Sequence, residues 1–345
     1  MAAPAAGAAA APVTDDVDAE AFKRLYPDQY YQRFLAEGVR PDGRPIGRAR
    51  AVTIGAGTIT TADGSALVKV GRTTVLAGVR LEIMRPDETA PAAGALVLNV
   101  EMAPFSSADY RPGRAPDHVS AVVEKLSSAL LGSAAAPGAG AAAGTAGAAP
   151  ERGGGGGGAV QLGSLCIAEG KAAWRALLDV YVLDADGCVL DAALLAAVAT
   201  LRDTRIPAVR NTREGQYYAA RGASAPAAEE GKEAGGGGGR KGGKAGEAGL
   251  VEGAPTAVGL GRLPLALTCC LYGKHVLVDP TADEERLAEC GVTVVVDSAG
   301  QLQGLYKAGG RVLADTATLV RCTEAARLRH RELSAMLEAS LAPGQ

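Results

Sequence analysis

Residues 22–37 place Phe22, Leu25, Tyr30 and Phe34 at near-helical intervals, and Pro27 among them predicts a break or a first-turn proline. From residue 51 the pattern changes from helical to alternating. Residues 51–61, 65–70 and 73–83 are rich in β-branched side chains, with Ala62-Asp63-Gly64 and Gly71-Arg72 between them, so a three-stranded meander is predicted. Residues 96–102 predict a fourth strand. Asp117 then opens a helix whose Val119, Val122, Val123, Leu126 and Leu130 share one face, and Gly132 ends it. Residues 171–183 read as a strand with Trp174, Ala176, Leu178, Val180 and Val182 on one face. Leu177, Tyr181 and Leu183 lie on the other, so both faces are expected to be covered. A turn at Asp184-Ala185-Asp186-Gly187 leads into an Ala/Leu-rich helix over 191–202. Residues 263–271, 275–278, 291–296 and 302–306 predict further strands, and 312–341 a closing helix. Strands followed by a helix, twice over, predict an α+β fold of two related βα lobes.

Three stretches interrupt this pattern: 1–21, 132–159 and 219–249 are dominated by Ala and Gly. Such tracts bury too little apolar surface to offset their ordering entropy, so disorder is expected there. They leave about 265 residues, enough for two lobes of ordinary size. The first lobe is expected over 22–218, carrying the 132–159 insertion, and the second over 250–345 after the 219–249 insertion. The 48% hydrophobic content is inflated by alanine; with 3 Phe, 9 Tyr and 1 Trp the core must be aliphatic.

A formal charge of −3 argues against a basic nucleic-acid-coating tail or a polybasic membrane anchor. Six cysteines without a CxxC pair, mostly inside apolar runs, read as buried free thiols in a reducing compartment. No apolar run reaches the ~20 residues needed to span a bilayer. The acidic N-terminal segment lacks the positive region of a secretory signal. A soluble intracellular protein is expected.

Individual chemical motifs are sparse. No phosphate-binding GxxxxGK[ST] loop or strand-linked GxGxxG is present. His118, His275 and His330 lie far apart and read as packing or surface residues, and no metal or cofactor is implied. Asp279, Asp283, Glu284 and Glu285 could hold a metal or act as acid and base, but read more simply as dipole compensation at a helix start, and Asp184, Asp186 and Asp191 as turn and cap residues. Arg111 and Arg114 flank Pro112-Gly113 in a loop that could be a solvated surface or a phosphate contact.

Whole segments say more. Gly38-Val39-Arg40-Pro41-Asp42-Gly43-Arg44 is followed by Thr61-Ala62-Asp63-Gly64-Ser65 and by Gly71-Arg72-Thr73-Thr74-Val75. This order resembles the opening of the RNase PH family, where R-x-D-G-R precedes a meander ending in G-x-T-x-V. Leu165-Cys166-Ile167 through Trp174, then Asp184-Ala185-Asp186-Gly187, is similar to the exosome ring-subunit branch, and Val278-Asp279-Pro280-Thr281 to the start of the family's second lobe. Tyr30-Tyr31-Gln32-Arg33-Phe34-Leu35 narrows the resemblance to one ring subunit, with two sisters left open.

The resemblance implies an RNase PH-like fold, related to the second domain of ribosomal protein S5. It also implies partners: other RNase PH-like ring subunits, S1- and KH-type cap proteins, RNA in a central channel and separate hydrolytic nucleases, but no membrane. Nuclear, nucleolar and cytoplasmic RNA processing would follow. Active members continue the A-D-G turn with G-T-R or G-S-R to hold phosphate. Here Asp186-Gly187 continues as Cys188-Val189-Leu190, and the aspartate pair of the second lobe falls on Glu285 and Gly291. No catalytic residue is therefore expected, and Asp186, Cys188, Val189, Leu190, Glu285 and Gly291 mark a degenerate former site. An active phosphate-dependent exoribonuclease is the alternative. A βα fold shared with small-molecule kinases or a ribosomal protein is a third reading.

Overall fold

The computed structural model describes residues 14–107, 117–132, 158–211, 217–219, 250–252, 256–307, 309–310 and 315–341. Two helices open it, α1 (Thr14–Leu25) and α2 (Pro27–Ala36), with Pro27 in the first turn of α2. Proline suits that place because its missing N–H would be unpaired there anyway. Helix α1 begins within the stretch expected to be disordered. Lys23 and Arg24 occupy its last turn, where the helix dipole favours cations.

The first lobe contains β1 (Val52–Ala56), β2 (Gly64–Val70), β3 (Thr73–Met84), β4 (Ala95–Met102), α3 (Asp117–Leu131), β5 (Cys166–Ala168), β6 (Ala172–Asp184) and α4 (Val189–Asp203). The sheet runs β1-β2-β3-β6-β4, with β5 paired to β6. Only the β4–β6 pairing is parallel. Strand β1 stops well short of residue 61, because Ile59 donates its N–H to Ser65 Oγ (2.8 Å) and takes the chain out of the ladder. Short pieces follow: β7 (Arg205–Ile206), β8 (Val209–Asn211), β9 (Tyr217–Ala219), β10 (Leu250–Glu252) and β11 (Thr256–Ala257). They pair as β10-β8-β9 and β11-β7, and β9 and β10 flank the second insertion. Strands of two or three residues carry no period that a sequence pattern can reveal.

The second lobe holds β12 (Leu265–Tyr272), β13 (His275–Val278), α5 (Ala282–Leu287), β14 (Cys290–Val296), β15 (Leu302–Lys307) and α6 (Thr316–Leu341). Its sheet runs β13-β12-β14-β15 and is antiparallel throughout. Among the described residues, no helix is long and apolar enough to cross a membrane.

Helix α4 is the centre. Leu190 and every residue from Ala192 to Leu201 are buried. It packs on β2 and β3 of one sheet and on β12 of the other. A helix apolar on all sides must be enclosed, and five alanines (192, 193, 196, 197, 199) let both sheets approach it closely. The approach is tightest at Gly64, where a Cβ would lie 2.3 Å from Thr204 Oγ1. One core cluster accordingly joins Val68, Val75 and Leu178 of the first lobe to Leu265, Val295 and Leu337 of the second.

The outer face of β6 departs from expectation. Trp174, Ala176, Leu178, Val180 and Val182 are buried, but Tyr181 is 40% exposed and Leu177 and Leu183 are half-buried. Helices cover only one face of this sheet, so β6 alternates as an antiparallel strand does.

Leu195, 2% exposed within α4, touches the shared core. Leu195→Ala should destabilise the fold by about 2–5 kcal/mol, read as a lowered urea midpoint with an unchanged slope. An unaltered midpoint would mean that α4 is not the central packing element.

Candidate functional site

The two lobes meet at a buried polar knot built on the R-x-D-G-R segment. Arg40 is fully buried: Nη2 donates to the carbonyls of Val278 (2.6 Å) and Ile46 (2.9 Å), and Nη1 to that of Asp279 (3.3 Å). Glu284 Oε2 lies 3.5 Å from Arg40 Nη1. Arg44 adds donors to the same Asp279 carbonyl from Nη1 (3.3 Å) and Nη2 (3.4 Å), and its Nε pairs with Asp42. Asp279 takes φ +52°, a left-handed conformation unusual for a residue other than glycine. Two carbonyl-directed guanidinium groups, those of Arg40 and Arg44, hold the backbone in that shape.

Arg50 completes the knot. Its Nη2 and Nε donate to Asp279 Oδ1 (2.7 and 3.1 Å), and its backbone N–H donates to Oδ2 (2.7 Å). The same guanidinium reaches the carbonyls of Asp186 and Gly187 in the β6–α4 turn. Burial lowers the Arg50 pKa, but the bonded Asp279 carboxylate outweighs it and leaves the group above its ordinary value. For Asp279, burial works upward and Arg50 works downward, with a net lowering. Both groups are thus charged and mutually dependent.

The β6–α4 turn carries the residues that the resemblance marks as a degenerate former phosphate site. Gly187 has φ +78°, and a Cβ there would lie 2.6 Å from the Pro280 carbonyl oxygen. Only glycine fits. Cys188 follows in the left-handed region (φ 51°) as the N-terminal boundary of α4, with no side-chain cap. Its backbone N–H instead donates to Glu285 Oε1 at 2.8 Å, so a carboxylate from α5 already occupies an anion position at this helix start. Burial raises the Glu285 pKa despite that bond and the attraction of Arg50. Thr281 and Glu284 form a reciprocal capping box that fixes the start of α5 and so aims Glu285.

Val189 and Leu190 are the first residues of α4, and both pack against the central core. Asp186, Cys188 and Glu285 are therefore brought together. Gly291 lies in β14 opposite Cys270, where a Cβ would meet only Cys270 Sγ, at 4.0 Å. Asp191 points at β12, where Oδ2 accepts the Thr268 N–H (2.6 Å) and Oδ1 the Thr268 hydroxyl (2.9 Å). Arg111 and Arg114 lie outside the described residues. Sequence patterns gave no sign of the Arg50–Asp279 pair or the Cys188–Glu285 bond. An arginine just before the first strand and an Asp-Pro step after β13 were the only local signals.

Beside the knot opens a cleft of about 410 Å³, lined by Lys23, Tyr30, Arg44, Arg50, Arg72 and Asp186 among others. Lys23 is paired with Asp283 (2.8 Å), and Arg44 and Arg50 are spent on Asp42 and Asp279, which leaves the cleft with little net charge. Among the described residues, no cluster of His, Cys, Asp and Glu could hold a metal ion.

The model of the 3′ exoribonuclease family, domain 1, matches residues 48–207, and that of domain 2 matches residues 262–328. "Exosome complex component Rrp42" of Sulfurisphaera tokodaii is 30% identical over 79% of this chain and 79% of that one. The chain belongs to the 3′ exoribonuclease (RNase PH) family. "Exosome complex component rrp43" of Schizosaccharomyces pombe is 27% identical over 89% of this chain and 93% of its own length. It is the ring subunit to which the Tyr30–Leu35 run pointed. In fold, this RNase PH-family chain is similar to a subunit of the "archaeoglobus fulgidus exosome with RNA bound to the active site". The TM-score is 0.64 at 24% identity, covering 93% of this chain and 99% of that one.

Arg50→Met strips Asp279 of its bonded guanidinium, leaving Arg44 Nη1 at 3.9 Å, and should cost about 3–5 kcal/mol in chemical denaturation, whereas adding Asp279→Asn, which removes the charge and tolerates the left-handed backbone, should recover part of the loss. Additive losses would show that the two do not act as a pair. A second prediction concerns pH. Burial, reinforced by Asp279, raises Asp191 from 3.8 to about 7. The folded state therefore keeps a proton that the unfolded chain releases, and stability falls as pH rises from 3.8 to about 7, by at most roughly 1.4 kcal/mol per pH unit. Asp191→Asn should flatten the melting temperature across that window. A profile parallel to wild type would contradict it.

Proposed function

We propose that the chain is a non-catalytic ring subunit of the RNA exosome, supporting 3′-to-5′ processing and decay of ribosomal, messenger and other RNAs. Family membership and the exosome-component relatives support the ring role. The absence of phosphorolysis rests above all on the Cys188 N–H···Glu285 bond. Phosphorolysis needs a bound phosphate nucleophile with donors and positive charge around it. At this turn the Cys188 amide is taken by the Glu285 carboxylate, and the neighbouring Val189 and Leu190 pack against the core. A phosphate entering here would meet like charge.

In this reading the work of the chain is to shape the ring. It contacts neighbouring RNase PH-like subunits and S1/KH cap proteins, lines part of the RNA path and leaves cutting to associated hydrolytic nucleases. Arg111 and Arg114 guide the RNA backbone in that path, and the complex acts in nucleus, nucleolus and cytoplasm.

Incubation of the purified chain with poly(A), phosphate and magnesium tests the catalytic half. The expected result is no nucleoside diphosphate above a protein-free control. Release that survives repeated purification and disappears in Asp186→Asn would overturn it. Co-expression with a ring subunit of the other RNase PH-like branch tests the structural half, the expected product being a heterodimer.

A further inference from the structure

The outer face of the first sheet carries a surface that the knot and the cleft do not use. On β4, Leu96 and Val100 are buried against the core, whereas Val97, Asn99 and Glu101 point outward and are exposed. The parallel register sets Val97 beside Leu177, Asn99 beside Asp179 and Glu101 beside Tyr181. Asn99 Nδ2 donates to both Glu101 Oε1 (3.2 Å) and Asp179 Oδ1 (3.3 Å), which holds two carboxylates side by side. Their field is felt at Tyr181, whose phenol is raised chiefly by Glu101, then by partial burial and Asp179. The apolar component is just as open: Val97 and Tyr181 are nearly half exposed. Phe105, in the loop after β4, is 79% exposed, the highest value among the described large hydrophobics. That loop is pinned beside the β6–α4 turn by Ala185 N–H to Ser106 O (2.9 Å).

Strand β4 is also an edge. Among the described residues only β6 pairs with it. Natural edges are blunted by proline, lysine, bulges or extreme shortness. The eight residues ALVLNVEM contain neither proline nor lysine, and the β4–β6 register is unbroken. The outward neighbours of this open, regular edge are acidic at one end, Glu101 and Asp179, with Arg175 beside Ala95 at the other, and the acidic end suits strand addition by a partner carrying a basic flank.

We propose that Ala95–Glu101, with Tyr181 and Phe105, is a docking edge for a protein partner that adds a strand flanked by Lys or Arg. RNA fits poorly, since its phosphates would face Asp179 and Glu101. A second copy would offer one basic residue, Arg175, to the two carboxylates Glu101 and Asp179, fewer than a strand flanked by Lys or Arg supplies, and the concentrated chain alone is a separate arm of the test. The proposal rests on the ring reading above and names the chemistry of one neighbour.

The test is amide hydrogen exchange on the chain alone and in a ring reconstituted from the RNase PH-like subunits, with Glu101→Lys/Asp179→Lys compared against wild type. Residues 95–101 should exchange at least tenfold more slowly in the ring. The double variant should keep its melting temperature but incorporate at least tenfold more weakly at low salt, with the defect shrinking as salt rises. If the ring forms without protection at 95–101, the docking edge is wrong while the ring reading stands. Protection with no charge effect overturns the basic partner. Protection produced by poly(A) alone, or by the concentrated chain alone, assigns the edge to RNA or to a second copy and overturns it as well. Failure of the wild-type chain to enter any ring overturns both readings.

Discussion

The structure depends on one buried ion pair. Arg50 and Asp279 come from different lobes, and each is costly to bury alone, so together they fix where the second lobe sits on the first. Around that pair, Arg40 and Arg44 bind the carbonyls of Val278 and Asp279 and hold Asp279 in a left-handed shape. Arg50 also ties down the Asp186 and Gly187 carbonyls, so the lobe junction and the β6–α4 turn are set by the same guanidinium. The R-x-D-G-R segment of this chain is thus an architectural clamp.

That clamp explains how the turn keeps its shape with Cys188, Val189 and Leu190 in it, as the proposed non-catalytic role requires. In this chain the turn is positioned by Arg50, Thr73 and Glu285, none of which needs a ligand in place. Once a carboxylate accepts the Cys188 N–H, the helix start is satisfied from within. Apolar residues at 189 and 190 then add to the core without leaving an unpaired polar group. In the proposed reading, stability and phosphate binding compete for the same turn, and stability has it.

Much of this was legible in the sequence. Helix α4 stood out through its Ala/Leu composition, and β2, β3, β4, β6 and the four strands of the second lobe through alternation or apolar runs bounded by turn residues. The A-D-G-S segment is explained locally: Asp63 Oδ2 accepts the Leu81 N–H (2.7 Å), and Ser65 Oγ accepts that of Ile59. What stayed hidden was non-local. Nothing near Arg50 announces a partner 229 residues away, and Glu285 looked like ordinary compensation of a helix dipole because its acceptor role depends on how α5 meets α4. The half-exposed face of β6 was misjudged because apolar outward residues such as Tyr181 and Leu177 resemble those of a doubly covered strand. The start of α1 was hidden beneath an Ala-rich composition.

The central claim is that the β6–α4 turn holds a carboxylate of its own chain in place of phosphate. A crystal structure of the assembled ring grown in high phosphate tests it most directly. The account predicts Glu285 within hydrogen-bonding distance of the Cys188 amide and no anion on the turn. A phosphate seated on the Cys188 amide, with Glu285 swung away, would contradict it.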